Sequence, residues 1–189
     1  NKYEMLKKTI IPAIFILSLG LFAIIPTAQL AETEKELPPP GAITFIAKNT
    51  VATANGTFKK WAITQSEFDL NDLKNALVEI TVDIASIDTK NAKRDTHLRT
   101  PDFFDVANHP NATLKIYDIK QTSDAKSYTA KLDFNMHGIK KTYPKFDFTL
   151  TQHDPIKVQG EFTLNRTDHK IGAPKSINPM SIKEEIPIT

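Results

Sequence analysis

The stretch that decides the fold is "ALVEITVDIASID", Ala76–Asp88. From position 78 to 84, apolar side chains occupy every second position in it, and polar Glu79, Thr81 and Asp83 stand between them. This period of two is typical of a β-strand that buries one face. The apolar positions that share this face are Val78, Ile80, Val82 and Ile84. We therefore expect a half-buried strand here, with its apolar face turned toward a core.

Similar alternation recurs downstream, in "TLKIYDI", "YTAKLDFNM", "PKFDFTLTQ" and "KVQGEFTLN". Weaker candidates are "AITFIAK", "GTFKKWAI" and the terminal "SIKEEIPIT", which brings the predicted total to eight strands. The short connections "TSDAKS", "HGIKK" and "HDP" favour antiparallel neighbours. Closure into an all-β, eight-stranded antiparallel barrel satisfies this pattern best, because it removes the sheet edges. A two-sheet sandwich is the alternative.

The inward face of the predicted barrel is almost wholly apolar. An eight-stranded barrel is just wide enough to be filled by side chains or to hold one small ligand, and periodicity leaves both options open. If space opens, we expect it beside the small residues Ala130 and Gly160. The candidate ligand-binding residues are Phe45, Phe58, Val78, Ile80, Val82, Ile84, Leu114, Ile116, Leu132, Phe134, Met136, Phe146, Phe148, Phe162 and Leu164.

Composition excludes several classes of function. The 189-residue chain has no cysteine, so disulfides, thiolate metal sites and cysteine nucleophiles are ruled out. The net charge of +2 is too weak for a nucleic-acid-binding protein. The sequence shows no phosphate-binding loop and no metal-ligand spacing, so neither a cofactor nor a metal is predicted. The five histidines are scattered at His97, His109, His137, His153 and His169.

The N-terminus has the plan of a targeting segment. Two lysines, Lys7 and Lys8, precede the apolar run "TIIPAIFILSLGLFAIIP", as the basic and apolar regions of a secretory signal do. We expect residues 1–31 to be a signal peptide or signal anchor, and the Pro-rich residues 32–41 to be a linker. Residues 42–189 are then an exported domain, which lies near the membrane if the leader is not cleaved.

A long crossover, "KRDTHLRTPDFFDVANHP" (Lys93–Pro110), interrupts the strands. Thr100 suits a helix N-cap, and Pro101 suits the first helical position. The pattern therefore predicts a short helix inside the 93–110 crossover, over "TPDFFDVANHP". Phe103 and Phe104 are too large to leave in water, so we expect them to cover a barrel mouth.

The charged residues of the crossover allow two interpretations. Ser86, Asp95 and His97 could form a hydrolase triad, but no G-x-S-x-G elbow and no Gly-rich oxyanion loop accompany them. The favoured interpretation is structural: these side chains pair with one another and cap backbone groups. No catalytic residue is therefore assigned, and an enzyme is not expected.

Three blocks of sequence carry a resemblance to a known family. They are "ITVDIASIDTKNAKRDTHLRTPDFFDVANHPNATLKI", "AKLDFNMHGIKKTYP" and "NRTDHKIG". Over about residues 43–189 the chain resembles the YceI-like polyisoprenoid-binding proteins. The resemblance implies an elongated lipocalin-like barrel that holds one long isoprenoid or fatty chain, such as a quinone tail. It also implies that the protein is periplasmic or secreted and that it has no catalytic machinery.

The resemblance gives the crossover a role as the lid and brace of the barrel. It implies that Arg94, Asp95 and His97 lock the crossover, that Phe103 and Phe104 seal apolar space, and that a head group rests against Arg94 or Arg99. The leading hypothesis is an exported lipid-binding protein for transport or storage. The alternative is a filled-barrel interaction protein. The oligomeric state stays open, with a dimer among the options.

Overall fold

The structure, a computed structural model, describes residues 41–49, 51–153, 155–172 and 182–189. The described residues all belong to one compact unit. The predicted signal segment, residues 1–31, and residues 32–40 of the predicted linker lie outside the described residues. Within the described ranges, no helix combines the length and the apolar character needed to cross a membrane.

The described part of the chain is built almost wholly of strands. Ten strands and one short α-helix are present in these ranges, together with single 3₁₀ turns at Ile84–Ser86 and Arg166–His169. The elements are β1 Ile43–Lys48, β2 Thr53–Phe58, β3 Trp61–Glu67, β4 Leu77–Asp83, β5 Ile87–Asp88, α1 Ala92–Leu98, β6 Asn111–Gln121, β7 Ser127–Met136, β8 Ile139–His153, β9 Ile156–Asn165 and β10 Glu185–Ile188.

The strand ladders run around a closed circuit. Their order is β3-β4-β6-β7-β8-β9-β10-β1-β2-β5, with each neighbouring pair antiparallel. β2 continues into β3 through Lys59 and Lys60, and β4 continues into β5 through the turn Ile84–Ser86. If β2 with β3 and β4 with β5 are each counted as one interrupted strand, the barrel has eight strands. The all-β antiparallel barrel predicted from the sequence is therefore confirmed.

The break between β4 and β5 has a local cause. Asp83 accepts a hydrogen bond from the backbone N–H of Ala85 at 2.9 Å, and Ser86 Oγ donates to the Asp83 carbonyl at 2.6 Å. These side-chain bonds compete with the ladder and favour a turn. Ser86 Oγ also accepts from the Lys60 N–H at 3.0 Å, so the break between β4 and β5 lies beside the break between β2 and β3.

The middle of the barrel is filled by aromatic rings. The Phe146 and Phe148 rings lie 5.9 Å apart, and Phe134 meets Phe162 at 5.6 Å. The Cβ side of Gly160 is filled, contrary to expectation: a Cβ placed there would meet the Phe146 ring at 2.5 Å. The ring lies over the glycine and takes up the volume that the missing side chain leaves.

The helix of the crossover lies earlier than predicted. It spans Ala92–Leu98, and Asn91 caps it by accepting from the Arg94 N–H at 3.0 Å. The predicted helix over "TPDFFDVANHP" is wrong, because this stretch forms successive turns. Asp105 has a positive φ of 45° within it, which an α-helix does not allow. Asn91 was the stronger cap, since "NAKRDTHL" offers seven helical residues without proline.

Candidate functional site

A cavity of about 230 Å³ lies between the crossover and the adjacent strands of the barrel. It is bordered by β1, β2, β10, the ends of β7 and β9, α1 and the turns that follow α1. Its apolar lining is Phe45, Ala47, Ala52, Ala54, Phe58, Leu98, Phe103, Phe104, Met136, Leu164, Ile171, Ile182, Ile186 and Ile188. Such a wall gives an apolar ligand a favourable place to leave water.

The lining of the cavity also includes charged and polar residues. Lys48, Arg94 and Arg166 are part of its lining, together with the polar residues Asn49, Thr53 and Thr89. Of the three cationic residues, Arg94 and Lys48 are on the solvent side, whereas Arg166 is buried. An apolar wall with a few charged groups suits an amphiphile.

Asp95 fastens the start of α1 to the end of β5. Its carboxylate is only 7% exposed and accepts from Thr89 twice, from the backbone N–H at 3.0 Å and from Oγ1 at 2.5 Å. Arg94 binds the same residue, with Nε to Thr89 Oγ1 and Nη2 to the Thr89 carbonyl, both at 2.7 Å. Two charged side chains therefore hold one buried threonine.

Arg99 holds the other end of α1 by a similar two-point contact. Its Nε donates to the Ala85 carbonyl and its Nη2 donates to the Ile87 carbonyl, each at 2.9 Å. These bonds tie the residue after the helix to the break between β4 and β5. They orient the Arg99 guanidinium toward backbone carbonyls. The contact of Arg99 with a ligand head group stays a prediction.

The proposed hydrolase triad is not assembled. Ser86 Oγ bonds to backbone groups of Asp83 and Lys60, and the Asp95 carboxylate accepts hydrogen bonds from Thr89. His97 is exposed, and its Nε2 lies 3.7 Å from Asp102 Oδ2. The arrangement therefore lacks the base–nucleophile and base–orienter contacts that acyl-transfer chemistry needs.

These contacts predict different outcomes for two neighbouring substitutions. Asp95→Ala leaves the Thr89 N–H and hydroxyl buried without an acceptor, so it should lower the free energy of unfolding by about 1–3 kcal/mol. His97→Ala, the exposed matched control on the same helix, should change it by less than about 0.5 kcal/mol. Urea denaturation of both variants checks this. A similar loss in the two would argue against the role given to Asp95.

Phe103 and Phe104 both line the cavity from the crossover side. The Phe104 ring meets the Phe58 ring of β2 edge-on, with centroids 6.4 Å apart. The Phe103 ring lies against Gly172, where a Cβ would approach it to 2.9 Å, and beside the His97 ring at 5.0 Å. Both phenylalanines are half-buried, so they form the boundary between the apolar cavity and water.

Arg166 is a cavity residue that sequence reasoning missed. It is 5% exposed, and it donates to the Ile171 carbonyl at 2.7 Å, the Ile182 carbonyl at 2.9 Å and the Lys183 carbonyl at 3.1 Å. Burial lowers the pKa of its guanidinium. Arg166 joins the 3₁₀ turn after β9 to the segment before β10. The "NRTDHKIG" block of the resemblance pointed to this turn without assigning a role to its residues.

His169 was also missed, and it is fully buried. Its Nδ1 lies 3.0 Å from the Ile139 carbonyl and 3.3 Å from the Met136 carbonyl. Since carbonyls only accept, Nδ1 carries the proton. Nε2 has no hydrogen-bond partner among the described residues, and burial lowers the pKa of the ring. A neutral histidine therefore anchors the turn between β7 and β8.

The predicted ligand-binding residues divide into two groups. Four line the cavity: Phe45, Phe58, Met136 and Leu164. Ten pack in the barrel core away from it: Ile80, Val82, Ile84, Leu114, Ile116, Leu132, Phe134, Phe146, Phe148 and Phe162. Val78 is half-buried outside both sets. The cavity thus lies nearer the crossover than the centre of the predicted set, and contact of either group with a ligand stays a prediction.

Comparison with known proteins places this fold in a family. A model of the YceI-like domain matches residues 38–189. A UPF0312 protein of Pseudomonas syringae pv. syringae is 32% identical over 126 residues, 64% of this chain and 65% of its own length. Protein YceI of Escherichia coli is 35% identical over 86 residues, 46% of this chain and 44% of its own length. The matches thus span less than two thirds of these relatives.

Solved structures share the fold at low sequence identity. BcnA of Burkholderia cenocepacia superimposes with a TM-score of 0.70 at 20% identity, covering 78% of this chain and 91% of its own. A polyisoprenoid binding domain from Saccharophagus degradans gives a TM-score of 0.59 at 13% identity, covering 78% of this chain and 88% of its own. Because the family model spans every strand of the barrel, the chain belongs to the YceI-like domain family.

Proposed function

We propose that this protein binds a polyisoprenoid or another long-chain amphiphile in the cavity under the crossover and carries or stores it after export. The apolar cavity, whose lining also includes cationic residues, is the observation that supports this most strongly. Membership of the YceI-like family and the likeness to a polyisoprenoid binding domain agree with it. An isoprenoid quinone is one ligand of this class.

Burial of the ligand's hydrocarbon chain supplies the driving force for binding. Each methylene moved out of water contributes about 0.8 kcal/mol, so a ligand of ten methylenes gains about 8 kcal/mol before ordering costs are subtracted. Arg94 lines the cavity and is exposed to solvent, so it can meet the polar end of an amphiphile. The apolar tail would then point toward Phe45 and Met136.

The size of the cavity limits the length of the lipid tail that it can hold. Its 230 Å³ is below the roughly 300–1,000 Å³ of ordinary small-molecule sites. A complete isoprenoid tail therefore requires the cavity to enlarge. The half-buried Phe103 and Phe104 are the side chains best placed to move, because they lie on turns, whereas the rings in the barrel middle are packed on all sides.

If a lipid enters beneath the crossover, the two phenylalanines should control its release. The double substitution Phe103→Ala plus Phe104→Ala removes two large apolar groups from the cavity wall, and lost packing of a few kcal/mol corresponds to at least a tenfold faster off-rate. The measurement is the dissociation rate of a fluorescent polyprenyl probe, taken beside a thermal melt that verifies folding.

The matched control is Val158→Ala, which removes an exposed apolar group of β9 that does not line the cavity. We expect its off-rate to equal that of the unchanged protein. An unaltered off-rate in the double phenylalanine variant would remove these residues from the binding mechanism. The rival function, a filled barrel that acts through its surface, predicts that the unchanged protein takes up no probe.

A further inference from the structure

Three side chains from distant parts of the sequence meet beside the turn between β7 and β8. They are Asp105 and His109 of the crossover and His137 at the end of β7. Each offers one ligand atom, and these atoms all lie within 4.8 Å of one another. The residues are half-buried, and the two imidazole rings stand edge to face with centroids 4.5 Å apart.

The backbone around each residue supports this meeting. The Asp105 carbonyl accepts from the His109 N–H at 2.8 Å, a single turn that places residues four apart side by side. His137 and Gly138 have φ of 55° and 72°, the positive pair of a tight hairpin turn. The His109 ring packs on this turn so closely that a Cβ on Gly138 would come within 3.1 Å of it.

The tautomer of His137 leaves a ligand atom available. Its Nδ1 lies 3.0 Å from the His169 carbonyl, which only accepts, so Nδ1 is the protonated nitrogen. The unprotonated Nε2 then carries the lone pair. Metal-binding histidines almost always donate the other ring N–H to a carbonyl or carboxylate in this way. Asp105 is oriented similarly, since its Oδ2 accepts from Asn108 Nδ2 at 2.8 Å.

We propose that Asp105, His109 and His137 form a site for a borderline divalent transition ion such as Zn²⁺, which fastens the crossover to the β7–β8 turn. Two imidazoles and one carboxylate suit such ions, whereas Mg²⁺ and Ca²⁺ prefer all-oxygen sites. Bonds near 2.1 Å place ligand atoms about 3.4 Å apart around a tetrahedral ion, so small side-chain rotations complete the set. A fourth position stays open to water.

The spacing rules applied to the sequence missed this site because its members come from separate segments. Asp105 and His109 are close in sequence, but His137 reaches them only when β6 and β7 form their hairpin. The site is independent of the proposed lipid function. It would join the lid region of the cavity to the barrel whether or not a lipid is bound.

Zinc binding by the full chain tests the proposal, measured by competition with a chromophoric chelator. We expect one Zn²⁺ per chain, and at least tenfold weaker binding in both His109→Gln and His137→Asn. Asparagine is chosen at 137 because it tolerates the left-handed backbone there. The control is His153→Gln, which changes an exposed histidine outside the cluster and should leave the affinity unaltered.

Hydrogen exchange adds a readout of the fastening itself. Zinc should slow exchange of crossover amides, around residues 99–110, in the unchanged protein and not in His109→Gln. If His137→Asn fails to fold, Asp105→Asn, which also suits its positive φ, takes its place. The proposal is overturned if the unchanged protein takes up no stoichiometric zinc, or if the cluster variants bind it as tightly as His153→Gln does.

Discussion

Replacing Phe148 by Asp should unfold the barrel or leave it barely stable. Phe148 is 6% exposed and stacks on Tyr128 with ring centroids 5.3 Å apart. An uncompensated charge at such a position lowers the free energy of unfolding by about 4 kcal/mol or more. Because whole domains are stable by only about 5–15 kcal/mol, we expect a large shift of the urea midpoint or no cooperative transition.

The neighbouring substitution Thr149→Asp is the matched control. Thr149 is exposed on the opposite face of the same strand, so the same charge should change stability by less than about 0.5 kcal/mol. Asp133, which the alternation also places outward, is not a neutral position: its carboxylate accepts from Thr142 at 2.7 Å and pairs with Lys140 at 2.6 Å. Equal losses at 148 and 149 would show that the strand register is wrong.

Arg166→Met should be the second most damaging change. It removes the donors to three backbone carbonyls and leaves these acceptors in an apolar region, a loss of about 3 kcal/mol. Arg166→Lys should recover only part of this, because an ammonium group cannot reproduce the fork of the guanidinium. Urea denaturation of both variants measures the difference.

The control for Arg166 is Lys157→Met, which removes an exposed cation from β9, the strand that precedes Arg166. We expect its free energy of unfolding to stay within about 0.5 kcal/mol of the unchanged protein. If Arg166→Met were no more destabilising than this control, the Arg166 bonds to the Ile171, Ile182 and Lys183 carbonyls would not hold the cavity end together.

The barrel could be predicted because its signal is local. Alternation such as that of Val78, Ile80 and Val82 depends on nearest neighbours and survives whatever the rest of the chain does. Short turns then determine the antiparallel order. The breaks at Ile84–Ser86 and between β2 and β3 were missed. The bonds of Asp83 and Ser86 at the first break are local, but its alignment with the second depends on Ser86 bonding to Lys60, a residue distant in sequence.

The candidate site was only partly predictable, for the same physical reason. Phe103 and Phe104 were identified because large apolar residues in a polar segment need a place to pack. The helix was misplaced because Pro101 is equally suited to a turn, and the Asn91 cap was overlooked. Arg166 and His169 lie in the "NRTDHKIG" block, but the sequence gave them no role, since their burial depends on carbonyls that only the folded barrel brings within reach.

The central claim, an amphiphile held in the cavity under the crossover, is tested most directly by native mass spectrometry of the protein purified from its own host. We expect a constant added mass that corresponds to a long-chain lipid and disappears after organic extraction. The extracted protein should then regain a mass shift when a polyprenyl lipid is supplied. A bare mass from the host, with no uptake of polyprenyl or fatty-acyl lipids by the folded protein, would contradict the account.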